Sequence, residues 1–145
     1  MFLEYIKSIR GIITLCQVVF GVICQLILQF QWVTNAGLVI ILFIEFLPSE
    51  IVVFILLFLC TLITLGVFVM EATGTVLVEA FGKLKVIVFH LLSFVLLIIA
   101  AGVHTYNISI TYNGGQYYAR FIVGDIILFL LAFSHIPLGI FALMQ

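Results

Sequence analysis

The feature that most limits this chain is a set of four apolar runs, each about as long as a bilayer is thick. Crossing ~30 Å of hydrocarbon takes about 20 helical residues. Gly11–Gln31, Ile51–Met70 and Val86–Val103 contain no charged residue, and Phe121–Leu143 contains one acid, Asp125. None of the runs alternates apolar and polar residues as a membrane-barrel strand does. The expected fold class is therefore an all-α integral membrane protein, a four-helix transmembrane bundle. Composition agrees: 66% of the residues are hydrophobic and 8% charged, against roughly a quarter charged in soluble domains. Too few polar groups remain to clothe a water-soluble core. The net charge of −1 supplies no basic field, so nucleic acid is not an expected partner. With no linker, charge run or repeat, residues 1–145 read as one domain.

Gly37–Leu47 is also apolar apart from Glu45, but too short to cross. Residues 37–48 read as an interfacial or re-entrant segment, or as a helical extension of span two kinked near Pro48. A fifth crossing is the rival reading. The basic residues decide against it: Lys7, Arg10, Lys83 and Lys85 share one side of a four-span chain, leaving Arg120 on the other. That side should be the cytosol, which places both termini there. Trp32, Tyr106, Tyr112, Tyr117 and Tyr118 then gather at the outer interface.

In the outer loop His104–Arg120, the β-prone run Tyr106–Tyr112 precedes Asn113-Gly114-Gly115. This pattern predicts a small β-hairpin between spans three and four, with an irregular tight loop as the alternative. Asn107-Ile108-Ser109 matches the glycosylation sequon, close to the end of span three. The inner loop Glu71–Lys85 has room for a short interfacial helix.

Polar groups in lipid are costly unless they face protein or water. Plotted at 100° per residue, Arg10, Thr14, Gln17, Gly21 and Gln25 fall on one stripe of span one. His90, Ser93, Leu97, Ala101 and His104 align on span three. Gly124, Asp125, Leu128, Ala132, His135 and Gly139 share a face of span four, and Cys60, Thr64 and Glu71 line up more weakly on span two. Two uses follow. The stripes are the helix-packing or partner face of a bundle, with Arg10 pairing Glu71 inside and Arg120 pairing Glu45 or Glu50 outside. Alternatively they line a pore or proton path, with Asp125 and Glu45 as acids and His90 and His135 as titrating groups. The bundle reading is preferred, because no span repeats an acid or shows a broken-helix pattern.

Cys16, Cys24 and Cys60 all lie within spans, so no outer disulfide is expected. The histidines lack the spacing of a metal site, and no catalytic or nucleotide motif is present. No catalytic, cofactor or metal residue is assigned.

The layout resembles the MARVEL-domain tetraspan family, of the myelin and lymphocyte protein, plasmolipin and chemokine-like factor type. Four features carry the resemblance. Ile9-Arg10-Gly11 opens span one, and Pro48–Glu50 opens an apolar span two. Span three runs into a loop with an aromatic and glycine-rich tip, and the polar-led ARFIVGDIILFLLAFSH closes the chain. The long connection Gln31–Pro48 departs from the shorter turn of the smallest members. The resemblance implies a non-enzymatic membrane organiser, a trafficking or junction component, or an accessory subunit, in a plasma or vesicle membrane. Its partners would be lipids and another membrane protein or further copies of itself. The alternative function is an ion channel or transporter subunit using Asp125.

Overall fold

A computed structural model describes residues 2–33, 37–40, 48–110 and 118–145. A short helix α1 (Phe2–Lys7) leads into α2 (Ile9–Gln29) through Ser8. The Ser8 hydroxyl donates to the Tyr5 carbonyl at 2.6 Å and accepts from the Gly11 amide at 3.0 Å, ending one helix and capping the next. Strands β1 (Phe30–Val33) and β2 (Gly37–Ile40) follow, then α3 (Glu50–Ala72), α4 (Leu77–Phe81), α5 (Lys83–Ile110) and α6 (Tyr118–Met144).

Four of these helices, α2, α3, α5 and α6, are long and apolar enough to cross a membrane, which makes the chain a multi-pass membrane protein. They close into a ring in which α2 packs on α3 and α6, and α5 packs on the same two. Each observed helix contains most of the expected span, but α5 overruns its expected end at Val103 by two turns. At 28 residues α5 is about 42 Å long, well beyond the hydrocarbon thickness. The expected inner-loop helix is α4.

Two expectations in the outer connections are corrected. The segment Tyr106–Ile110 is the last part of α5, so the hairpin expected between spans three and four does not start there. Its side chains His104 and Asn107 find partners on α3, and that tertiary contact overrides strand propensity. The tip of the expected hairpin, 111–117, lies outside the described residues. A hairpin occurs instead in the first connection. There β1 and β2 pair antiparallel, with Phe30 opposite Ile40 and Val33 opposite Gly37. Gly37–Ile40 is thus a strand and not a helical extension of span two; Pro48 and Ser49 form a turn, α3 starts at Glu50, and residues 41–47 lie outside the described residues. Pairing satisfies the amides and carbonyls that an isolated apolar segment would leave open near lipid. Glu45 lies outside the described residues.

The core is a layer of Cys24, Val53, Leu57, Leu97, Ala100, Leu128 and Ala132, each at most 2% exposed. The outward faces carry residues such as Phe20, Ile55, Leu62, Leu92, Ile99 and Leu130, as a lipid-solvated surface requires. Close packing of α2 rests on two glycines. A Cβ on Gly21 would lie 2.5 Å from the Thr61 hydroxyl of α3, and one on Gly124 would lie 2.3 Å from a Leu28 methyl of α2. Leu28 can swing its end away; Thr61, branched at Cβ, has less room to yield.

Gly21→Ala should therefore destabilise the bundle by about 1–3 kcal/mol, as overpacking does. Thr61→Ala, which removes the two nearest atoms, should restore most of the loss. Thermal unfolding of the single and double variants in one detergent checks this, and additive losses would contradict the proposed contact.

Candidate functional site

The four polar stripes converge inside the ring. Thr14, Gln17, Gly21 and Gln25 of α2 are buried, as are His90, Ser93, Leu97, Ala101 and His104 of α5. Gly124, Leu128, Ala132 and His135 of α6 and Cys60, Thr64 and Glu71 of α3 join them. The helices earn this geometry from residues three or four apart, which stack on one face.

The inner end, where both termini lie, holds a charged cluster. Arg10 forms an ion pair with Glu71, as expected, and its other terminal nitrogen donates to Gln145 at 2.9 Å. The Tyr5 hydroxyl donates to Glu71 at 2.5 Å. Burial, and then this bond to a carboxylate, push the Tyr5 phenol above its ordinary value. Phe2 and Tyr5 rest on the Phe68 ring of α3, which holds α1 against the bundle. A cavity of about 660 Å³, lined in part by Tyr5, Arg10, Glu71 and Gln145, opens at this end.

Above it lies a set of neutral polar groups. His90 and His135 face each other with Nδ1 atoms 3.2 Å apart. One ring must donate and the other accept, so the two hold opposite tautomers and at least one is uncharged. Gln17 donates to the Ser134 hydroxyl at 2.7 Å, while its Oε1 is buried without a partner. Thr14 donates to the Arg10 carbonyl on its own helix, so it fills the seam without bridging it. Gln25 reaches the Phe54 carbonyl at 3.5 Å, at the limit of a hydrogen bond.

The outer end holds the second charged cluster. Glu50 accepts from Asn107 at 2.6 Å and contacts His104 Nδ1 at 2.8 Å, while Ser49 donates to the Asn107 carbonyl oxygen at 2.7 Å. His104 Nε2 lies 3.2 Å from the Phe121 carbonyl. Glu50 and the Phe121 carbonyl thus stand at the two ring nitrogens of His104. The Asn107 sequon is closed in this fold: the residue is 1% exposed, and the nitrogen that would carry a glycan is bonded to Glu50.

Arg120 does not pair with Glu50. Its guanidinium donates instead to the carbonyls of Ile27 and Phe30 at 2.5 and 2.6 Å, where α2 has run out of its own amides. Asp125 does not face the bundle centre. It is half-buried at the seam's edge, where it accepts from Thr105 of α5 at 2.9 Å.

Sequence reasoning offered Glu50 to Arg120 rather than to His104 and Asn107, and missed Asn107, Ser134 and Tyr5 as partners. Continuing the span-three stripe by three residues from His104 reaches Asn107, which was the available signal. Nothing in the sequence pointed to Arg120 as a helix cap, because the acceptors are main-chain atoms. Between Thr14, Gln17, His90 and His135 on one side and Gln25 and the outer cluster on the other stands the apolar layer of Leu57, Leu97 and Leu128. Among the described residues no three His, Cys, Asp or Glu side chains converge as metal ligands. Cys16 is exposed on the lipid side, while Cys24 and Cys60 are buried. Comparison with protein-family models, curated proteins and solved structures gave no match.

The clusters should differ in weight. Glu50→Ala removes the carboxylate that His104 and Asn107 share and should cost about 1–3 kcal/mol, the range for losing a buried hydrogen-bond partner. A neutral interhelical bond in a membrane averages ~0.6 kcal/mol. Gln17→Leu also removes an orphaned oxygen, so it should be near neutral. Unfolding midpoints of the two variants give the ranking, and equal losses would refute it.

Proposed function

We propose that this protein is a non-enzymatic membrane organiser or accessory subunit of MARVEL-like type that binds another membrane protein side-on. The observation that carries the reading is the dry layer at Leu57, Leu97, Leu128 and Ala132, each at most 2% exposed. It separates the inner polar groups from the outer ones, so the bundle interior offers no continuous hydrated route. The polar seam then serves assembly, and the work falls to the outside: the lipid-facing helix surfaces, the outer connections and the surrounding lipid. The same reading places the protein in a plasma or vesicle membrane with its termini in the cytosol, by the distribution of Lys and Arg.

One observation favours a second reading, a channel or transporter subunit formed by several copies. Asp125 is half-buried at the edge of the α5/α6 pair, bonded to the exposed Thr105, so an acid stands near the bundle's outer surface within a span.

Two experiments bear on these readings. With Ala80→Cys and Ala119→Cys variants, an impermeant maleimide should label Cys at position 119 on intact cells and at position 80 only after permeabilisation. The reverse pattern would invert the orientation. For function, crosslinkers placed at lipid-facing positions such as Leu62 and Leu130 should trap one defined neighbour of the gently isolated protein. Purification solely as a lone monomer in nanodiscs would count against the partner reading. Ion flux in liposomes that Asp125→Asn alters would establish the second reading, and silent liposomes would remove it.

A further inference from the structure

We propose that the groove between the inner halves of α3 and α5 is a binding site for one anionic glycerophospholipid, with an acyl chain along the groove and the phosphate at Lys85. Ile63, Gly66 and Met70 of α3 form one wall, Lys85 and Phe89 of α5 the other, and Phe81 of α4 lies at the mouth. The groove encloses about 430 Å³, within the range of ~300–1,000 Å³ typical of ligand sites.

The gap exists because of Gly66. A Cβ built there meets nothing within 4 Å, so the helix presents bare backbone where another residue would fill the space. The groove's depth fits one leaflet. From the end of α3 at Ala72 back to Ile63 the helix rises about 14 Å, close to half of the ~30 Å hydrocarbon core.

Charge selects the class of lipid. Lys85 lines the groove at its inner end, while Lys83, two residues earlier on the helix, is exposed and does not line it. Among the described residues neither ammonium has an ion-pair partner. Glu79 on α4 is exposed but does not line the groove. Comparable grooves between α2 and α3 and between α2 and α6 carry no cation, so they suit hydrocarbon without selecting a headgroup. With the termini in the cytosol, the mouth opens on the leaflet that is rich in anionic lipid. The site is independent of any side-on protein partner, and the maleimide labelling tests the orientation separately.

The test is native mass spectrometry of the full chain, titrated in detergent with phosphatidylserine or phosphatidylcholine. The wild type should keep one phosphatidylserine under conditions that strip phosphatidylcholine. Lys85→Gln should weaken that retention, on the order of fivefold near a charged surface. Gly66→Leu, which fills the groove in an open and helix-favourable position, should abolish it without lowering the unfolding midpoint. Lys7→Gln, an inner lysine remote from the groove, should leave it unchanged. Retention unaffected by Gly66→Leu would overturn the proposal. So would equal loss with Lys7→Gln and Lys85→Gln, which would mean diffuse attraction, or full competition by soluble glycerophosphoserine, which would mean a headgroup-only site.

Discussion

Hydrocarbon offers no hydrogen bonds, so every polar group placed in it must be answered by the protein itself. That constraint organises the bundle. Thr14, Gln17, His90, Ser93, Thr64 and His135 are buried against neighbouring helices, and the residues left outside are those lipid accepts. Since lipid tails are as apolar as the core, helix association gains little from burying Leu or Val and must come from fit and from paired polar groups. Gly21 against Thr61 supplies the fit; Glu50 with His104 and Asn107, and Arg10 with Glu71, supply the strong pairs.

The strong pairs stand at the two ends, not in the middle. Each cluster joins helices distant in sequence: Tyr5, Arg10, Glu71 and Gln145 inside, and Glu50, His104 and the Phe121 carbonyl outside. Near the ends, water lowers the cost of carrying a charge, yet the pairs still fix helix ends relative to one another. The centre is left to methyl and small side chains, where register is set by shape. Rigid ends with a close-packed waist suit a molecule that offers partners and lipids a constant exterior.

How much could be read from the sequence follows the same physics. Helix faces could be read, because a period of 3.6 residues aligns polar groups that lipid would reject, and the Arg10–Glu71 pair followed from which ends share a side. The pairs made by Glu50 could not. Its carboxylate read as a mate for Arg120, whereas its partners lie more than fifty residues away on a helix that outruns its apolar stretch. The hairpin was misplaced for a related reason. Strand propensity in Tyr106–Ile110 is real, but a helix extended by two partnered side chains overrode it, while the less conspicuous Phe30–Val33 and Gly37–Ile40 paired.

Arg120 holds the carbonyls at the end of α2, and Ser134 and Gly124 receive Gln17 and Leu28 of the same helix. All three belong to α6, about ninety to a hundred and twenty residues further along the chain. The terminal oxygens of α2 and the amide nitrogen of Gln17 are therefore answered only when α6 is in place. Without α6, α2 would turn those groups toward lipid, so the seam closes only when the four helices are together.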